Sequence, residues 1–173
     1  MKLHPVDLDA FQPQIFRLFQ KKTPLLTAGS REGCNTMTIG WGQLGTLWNK
    51  PVCTVYVRPE RFTHQFVESS PYFTVSILPD EYKNALSFCG TKSGRDGDKF
   101  KASGLTPAFT EEGAPYPAEA ELVIVCRKLY TQKLQEDGTA DHATVGPYYG
   151  KMGDWHQAYT GEVVGIYESE KNN

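Results

Sequence analysis

Six short apolar or β-branched runs, each bounded by turn-forming residues, constrain the fold of this chain more than any other feature. The runs cover residues 24–30, 36–41, 52–58, 72–78, 122–134 and 157–167. Glycine, proline, asparagine and lysine separate them, for example at residues 31–33 and 49–51. Runs of this length and spacing are typical of antiparallel strands, and they favour a barrel over a sheet with alternating helices. The run at 122–134 is long enough to predict a strand that bends or bulges.

Two helices are predicted between these strands. Residues 59–69 and 80–88 carry apolar side chains at a repeat near 3.6, which is typical of a helix with one buried face. We expect both helices to cover an end of the barrel. The predicted fold is therefore mainly β, an antiparallel barrel with added helices, in a single domain over residues 1–173.

Charge and hydropathy limit the possible classes of function. The 173 residues include 18 Lys and Arg against 20 Asp and Glu, a formal net charge of -2, so no overall positive field attracts nucleic acid or an anionic membrane. No window approaches the length of apolar sequence that a membrane span needs, and the first residues lack the apolar segment of a secretory signal. We therefore expect a cytoplasmic protein that binds neither nucleic acid nor membranes.

The cysteines and histidines form no recognisable metal or thiol motif. The four cysteines lie far apart without a C-x-x-C pair, and the four histidines lack ligand spacing, which speaks against a zinc site and a redox dithiol. Cys89 lies near a basic loop whose Lys92 and Arg95 would lower its pKa. A buried and inert thiol is nevertheless the favoured interpretation.

Two short motifs are rejected on physical grounds. Gly40, Gly42 and Gly45 match G-x-G-x-x-G, but Pro51 follows too soon for the helix that a dinucleotide fingerprint must open. The Asp-Gly-Asp sequence at residues 96–98 lacks the further oxygen ligands that a calcium loop needs at fixed offsets. Neither a Rossmann site nor a calcium site is predicted.

Three polar segments, residues 35–42, 58–63 and 93–100, lie beside the apolar runs, and the first and third contain glycine. The first offers amide and hydroxyl groups along a strand edge, although an ordinary polar strand end would have the same composition. The second places Thr63 in the first turn of a helix, where the dipole and unpaired N–H groups favour an anion. A capped helix with solvated arginines is the alternative. The third is a flexible loop with a local surplus of positive charge.

One flat, anionic, hydrogen-bonding ligand could use all three segments. Their amide and hydroxyl donors suit a heteroaromatic ring, and their cations suit a phosphate, to which each charged hydrogen bond contributes about 1.5–3 kcal/mol. The cations in question are Arg58, Arg61, Arg95 and Lys99. The combination of segments, more than any one of them, indicates a binding site.

At these residues the chain resembles the flavin reductase-like, FMN-binding split-barrel family, which includes the flavoredoxins. The matching pieces are T-A-G-S at 27–30, N-T-M-T-I-G-W at 35–41, R-P-E-R-F-T at 58–63, F-T-V-S-I-L at 73–78, S-G-R-D-G-D-K-F at 93–100 and H-Q-A-Y-T-G-E-V-V at 156–164. The resemblance extends over residues 27–167 and depends on the order and spacing of the pieces together.

The resemblance implies a six-stranded antiparallel Greek-key split barrel, a homodimer, and one flavin per subunit in a groove near the subunit interface. The residues implied to face the isoalloxazine ring are Asn35, Thr36, Met37 and Thr38. Those implied to contact the phosphate or ribityl chain are Arg58, Thr63, Ser93, Gly94, Arg95 and Lys99. Cys89 and Gly90 are implied to lie near the flavin, although such proteins more often have a serine at the first position. Trp41 and Trp155 are expected to flank the groove or to pack in the core or dimer interface.

The resemblance also implies the chemistry. It indicates flavin mononucleotide (FMN) as cofactor, with flavin adenine dinucleotide (FAD) possible, in an NAD(P)H-dependent flavin reductase-like oxidoreductase. Because the cofactor supplies hydride transfer, no catalytic side chain is assigned. One alternative is a flavoredoxin-type carrier that exchanges electrons with a redox protein and does not use nicotinamide directly. Another is an enzyme like pyridoxamine-phosphate oxidase, which is disfavoured because no second basic cluster is present for another phosphate.

Overall fold

The computed structural model describes residues 2–149 and 154–169. Its strands are β1 (Leu3–Pro5), β2 (Leu25–Ser30), β3 (Gly33–Thr38), β4 (Gly42–Leu47), β5 (Lys50–Val57), β6 (Tyr72–Ile77), β7 (Pro107–Phe109), β8 (Pro115–Pro117), β9 (Leu122–Lys133) and β10 (Gln157–Ser169). Its α-helices are α1 (Ile15–Gln20), α2 (Phe62–Ser69), α3 (Lys83–Thr91), α4 (Lys99–Ser103) and α5 (His142–Val145). Short 3₁₀ turns cover Asp80–Tyr82, Glu136–Gly138 and Gly146–Tyr148.

The main sheet is antiparallel throughout and has the strand order β3-β2-β6-β9-β10-β5-β4, with β1 paired to β10. β7 and β8 form a separate hairpin. Although β3 and β4 follow each other in the chain, they lie at opposite ends of this order and share no ladder in the described part of the chain. The sheet therefore curls without closing, and the predicted mainly β split barrel is confirmed.

Both faces of the central strands are buried, because side chains alternate across each strand. On β2, Leu26 and Ala28 belong to the cluster inside the barrel, together with Val55 and Tyr159. Leu25 points the other way, into a second cluster outside the barrel. This arrangement explains why the strands appear in the sequence as nearly continuous apolar runs.

The outer cluster positions the helices. Cys89 on α3 and Phe100 on α4 pack with Leu25 and Val125 on the outer face of the sheet. α2, α3 and α4 all contact β3. The edge strand β3, the start of α2 and the loop between α3 and α4 consequently meet on one side of the barrel.

All six predicted runs are strands, but several boundaries and elements differ from the prediction. The second strand is Gly33–Thr38 where the sequence indicated residues 36–41, and β4 was not predicted at all. α2 begins at Phe62, because Arg61 before it has an extended backbone. The predicted irregularity of the long strand is confirmed, since the pairing of β9 with β10 skips Leu129.

Three observations on the described residues concern membrane-spanning helices, metal ligands and thiols. No helix there has the length and apolar character to cross a membrane. Its histidines, cysteines and acidic residues form no group of three that could hold a metal ion. All four cysteines are free, and three of them, Cys53, Cys89 and Cys126, are buried.

Candidate functional site

The three polar segments surround one cavity of ≈ 260 Å³, which we call the cationic cavity. Ten of the twelve predicted site residues line it: Asn35, Met37, Thr38, Thr63, Cys89, Gly90, Ser93, Gly94, Arg95 and Lys99. The remaining lining residues are Glu60, Arg61, Phe62, Thr91 and Lys92. Segments that are distant in sequence, such as those of Asn35 and Lys99, are thus brought together around one cavity.

Lys99 is the buried charge of this cavity. Lys99 is only 5% exposed, and its ammonium donates a 2.6 Å hydrogen bond to the backbone carbonyl of Cys89. No carboxylate lies within ion-pair distance of it among the described residues. Burial lowers the pKa of Lys99, and the nearby Arg61 guanidinium lowers it further. A buried ammonium with no anionic partner favours an anion beside it.

The start of α2 adds backbone donors. Arg61 stands at its N-cap without a side-chain hydrogen bond to the first turn, so the first amides of this helix have no side-chain acceptor there. The positive end of the helix dipole lies at the same place. The hydroxyl of Thr63 accepts a 2.8 Å hydrogen bond from the side-chain amide of Asn35, which joins this turn to β3.

Two glycines allow the cavity walls to approach each other. A Cβ at Gly90 would lie 2.4 Å from the hydroxyl oxygen of Thr38, and a Cβ at Gly94 would lie 2.4 Å from the side-chain oxygen of Asn35. Real Cβ atoms do not come so close, so a side chain at either position would push the α3–α4 region away from β3.

Cys89 is buried, as the favoured interpretation predicted. Burial raises the pKa of its thiol, while Ser103 and Lys99 oppose that effect. Lys92 and Arg95, the cations that would lower this pKa in the alternative interpretation, are not among the groups that shift it. The thiol is therefore neutral at physiological pH and inert.

Two predicted residues lie elsewhere. Thr36 is fully buried on the other face of β3, where its hydroxyl lies 2.9 Å from that of Thr27. Arg58 lines a neighbouring cavity, forms an ion pair with Asp154, and donates a 2.6 Å hydrogen bond to the carbonyl of Tyr148. The charge of Arg58 thus already has an anionic partner, unlike that of Lys99.

The neighbouring cavity, which we call the aromatic cavity, has a volume of ≈ 150 Å³ and shares Met37, Thr38 and Arg61 with the cationic cavity. Its other lining residues are Ile39, Gly40, Trp41, Tyr56, Arg58 and His156. The expectation that Trp41 flanks the groove agrees with this lining. Trp155 instead stacks on Tyr149, with ring centroids 3.9 Å apart.

His156 is the feature of the aromatic cavity that the sequence did not indicate. Its ring nitrogen Nδ1 lies 3.1 Å from the hydroxyl of Tyr149, and its ring lies 4.7 Å from that of Trp41. Burial lowers the pKa of His156 to about 4, and the Arg58 guanidinium contributes to the decrease. The imidazole is therefore neutral at physiological pH.

A third, larger concavity of ≈ 1060 Å³ continues from the aromatic cavity, with which it shares Gly40, Trp41 and Tyr56. One wall of this apolar groove is α1, whose Phe16 is 83% exposed. Trp41 and Tyr148 are also exposed there, in edge-to-face contact at 5.3 Å. Contiguous apolar surface of this kind is typical of an interface.

Sequence reasoning missed several lining residues for identifiable reasons. Arg61 was recognised as a cation suited to a phosphate, but it was not among the residues that the family resemblance assigns. Phe62 was interpreted only as part of the apolar face of a helix. His156 carries no spacing signal, since its neighbours in the cavity come from distant parts of the chain.

Comparison with known proteins gives a family match. The model of the family described as "flavin reductase like domain" matches residues 16–173. A curated protein of Moorella thermoacetica named high molecular weight rubredoxin is 29% identical over 115 residues, which are 66% of this chain. The chain spans only 46% of the length of that relative.

Solved structures resemble the fold at low sequence identity. Flavoredoxin from Methanosarcina acetivorans has a TM-score of 0.70 at 20% identity, covering 97% of this chain and 78% of that one. An FMN-binding protein from Thermus thermophilus has a TM-score of 0.69 at 21% identity, covering 95% and 81%. An NADH:FAD oxidoreductase of Streptomyces globisporus, in complex with NAD and FAD fragments, has a TM-score of 0.62 at 21% identity, covering 86% and 75%.

Proposed function

Since this chain belongs to the flavin reductase-like domain family, we propose that it binds FMN in the cationic and aromatic cavities and catalyses electron transfer from NAD(P)H. The cationic cavity would hold the phosphate and ribityl chain, and the aromatic cavity would hold part of the ring. This assignment keeps the ten lining residues that the sequence predicts, adds Arg61, and removes direct phosphate contact from Arg58.

Support for the phosphate position comes chiefly from Lys99. Its ammonium is buried and uses one of its three hydrogen-bond donors on the Cys89 carbonyl. A phosphate would provide the missing negative charge, and it would also accept from the first amides of α2. The exposed guanidinium of Arg61 lines the same cavity and is free to turn towards it. These donors fit a phosphate monoester better than an uncharged group.

The sizes of the cavities support the position of the ring. Pockets for drug-sized ligands usually measure about 300–1,000 Å³, so the cationic cavity of ≈ 260 Å³ would hold only part of a flavin. The ring would then extend along β3, past Met37 and Thr38, which line both cavities. Trp41 and His156 would lie at its far end.

When bound, the flavin would supply hydride and single-electron transfer. The chain would contribute binding and orientation. Asn35 and Thr63 fix β3 against α2, and the buried residues Cys89 and Lys99 lie at the phosphate end of the cavity. His156, neutral because of its low pKa, adds no positive charge near the ring end. No side-chain acid or base is required by this assignment.

The proposal is tested by the visible absorption spectrum of freshly purified protein and by fluorescence titration with FMN. Bound flavin, or stoichiometric uptake of added FMN, is the expected result. Mixing the loaded protein with NADH or NADPH without oxygen then tests the reaction, and rapid bleaching of the yellow band is expected for a reductase. A colourless protein that takes up no flavin would overturn the proposal.

An electron carrier without direct nicotinamide use is the second candidate. It is favoured by the names of two similar proteins, a rubredoxin and a flavoredoxin. The same anaerobic mixing separates the two functions. A flavin-loaded protein that NADH and NADPH leave oxidised, but that a small redox protein reduces, would be a carrier.

We also infer that the protein is a homodimer. The apolar groove exposes Phe16, Trp41 and Tyr148 directly beside the aromatic cavity, and a second copy could cover this surface and complete the ring end of the site. Light scattering should give the mass of two chains. Replacing Phe16 by Glu should then yield monomers with weaker flavin binding, whereas a wild-type monomer that retains flavin would contradict the inference.

A further inference from the structure

A bridge of side chains closes one side of the cationic cavity. The guanidinium of Arg95 donates a 3.0 Å hydrogen bond to the backbone carbonyl of Glu60 and lies over the ring of Phe62, 5.3 Å from its centroid. Gly94 packs so closely on this ring that a Cβ there would lie 2.5 Å from it. The loop after α3 and the start of α2 are thus joined across the cavity by the Arg95 bridge.

The bridge and the buried Lys99 line the same cavity. The ammonium of Lys99, a residue only 5% exposed, is held on the end of α3 through the Cys89 carbonyl. Asn35 on β3 and Thr63 on α2, joined by their hydrogen bond, form a further wall. A ligand group that reaches Lys99 can end there, but a longer chain continuing towards Arg95 would have to displace the guanidinium from Glu60 and Phe62.

We propose that the Arg95 bridge makes this site select FMN over FAD, an inference that rests on the proposed function. The phosphate of FMN is terminal and fits a cavity lined by cations. In FAD the same phosphate carries a second phosphate and an adenosine, which need an exit. Arg95 and Phe62 therefore act as specificity-determining residues, and the chemical class selected is a flavin with a terminal phosphate monoester.

The bridge depends on features that lysine and leucine do not have. The planar guanidinium can stack on an aromatic ring and bond a carbonyl at the same time, whereas an ammonium on a flexible stem cannot do both with the same geometry. Arg95→Lys therefore opens the bridge and keeps the positive charge. Phe62→Leu removes the flat surface and keeps an apolar side chain. Because Arg95 is exposed, the first variant leaves the buried core unchanged.

The test measures dissociation constants for FMN and FAD by fluorescence titration of the full chain. Wild type should bind FMN at least about tenfold more tightly than FAD, which corresponds to a difference of about 1.4 kcal/mol. In R95K and in F62L the ratio of the FAD dissociation constant to the FMN dissociation constant should fall at least about threefold, chiefly through tighter FAD binding. Lys92→Ala is the matched control, because it removes a lining cation that takes no part in the bridge. It should weaken both flavins equally and leave the ratio unchanged.

The outcomes separate this inference from the proposed function. A wild-type protein that binds neither flavin would overturn both. A wild-type protein that binds FMN and FAD equally well would overturn the selectivity inference alone. So would R95K and F62L variants whose FMN-to-FAD ratio stays at the wild-type value, since the bridge would then have no effect on the exit of the longer ligand.

Discussion

The side-chain amide of Asn35 donates a 2.8 Å hydrogen bond to the hydroxyl of Thr63, and this bond ties the edge strand β3 to the first turn of α2. Asn35 is 4% exposed and Thr63 is 1% exposed. A buried donor that loses its acceptor costs about 1–3 kcal/mol. The pair therefore both stabilises the fold and sets the spacing between two walls of the cationic cavity.

Thr63→Val should lower the free energy of unfolding by about 1–3 kcal/mol, because valine keeps the shape and leaves the Asn35 amide without its acceptor. FMN affinity should fall as well, since the spacing of the two walls is no longer fixed. Urea unfolding measures the first effect and fluorescence titration the second. Thr46→Val, at an exposed position of β4, is the control and should change stability by less than about 0.5 kcal/mol. Equal stability of the two variants would contradict the role of this bond.

Lys99→Met should weaken FMN binding without destabilising the flavin-free protein. Loss of a charged hydrogen bond to the phosphate weakens FMN binding by about tenfold to a hundredfold. The flavin-free protein should keep or gain stability, because the variant removes a buried ammonium that has no anionic partner. Titration with FMN and urea unfolding without FMN provide the two measurements.

The control for this change is Lys92→Met, which alters an exposed cation of the same cavity. It should weaken FMN binding less than K99M does, because solvent screens an exposed charge. Unchanged FMN affinity in K99M would place the phosphate elsewhere. A large loss of stability in flavin-free K99M would show that Lys99 is chiefly a structural residue.

The strands that the sequence predicted are those whose side chains are apolar on both faces. β2 and β5 illustrate this, since their burial on two sides produces continuous runs such as residues 52–57. β4 was missed because its sequence, Gly-Gln-Leu-Gly-Thr-Leu, is glycine-rich and largely exposed. Its strand conformation depends on pairing with β5, which local composition does not indicate.

The candidate site was predictable where it depends on local chemistry, and less so where it depends on tertiary placement. The placement of Thr36 follows from the sequence, because Asn35 and Met37 line the cavity and strand alternation sends the residue between them to the other face. The placement of Arg58 does not, because its partner Asp154 lies far along the chain. Only the folded structure determines which cation is already paired.

Gly90→Ala should destabilise the protein, although the same change in an open helix stabilises it by up to about 1 kcal/mol. The new Cβ would lie 2.4 Å from the Thr38 hydroxyl oxygen, and relieving that contact costs about 1–3 kcal/mol. Thermal and urea unfolding measure the change. Gly45→Ala is a useful reference, since a Cβ there would contact nothing within 4 Å.

The clash at Gly90 can be assigned to its partner with a double-mutant cycle. Thr38→Ala removes the oxygen that the new Cβ would meet, so G90A combined with T38A should be more stable than the sum of the two single changes allows. A coupling free energy of about 0.5–3 kcal/mol is expected for residues in direct contact. Additive effects of G90A and T38A would show that a Cβ at position 90 of α3 does not clash with Thr38 on β3.

His156 gives the protein a stability that depends on pH. Burial, assisted by Arg58, lowers its pKa from 6.5 to about 4 in the folded state. Between pH 4 and pH 6.5, His156 is therefore protonated in the unfolded chain and neutral in the folded protein. Stability therefore falls as the pH is lowered from 6.5 towards 4.

His156→Gln removes that titration, so the variant should lose less stability on acidification than wild type does. The loss of unfolding free energy between pH 7 and pH 4.5 should be about 2–3 kcal/mol smaller in the variant than in wild type, since each unit of pKa difference corresponds to 1.36 kcal/mol. Urea unfolding at a series of pH values measures how the unfolding free energy of each protein depends on pH. His142→Gln, at an exposed histidine of α5, is the matched control. If H156Q and wild type lose stability in parallel, then His156 takes up its proton at the same pH in the folded and unfolded states, and acidification places a positive charge in the aromatic cavity beside the ring end of the site.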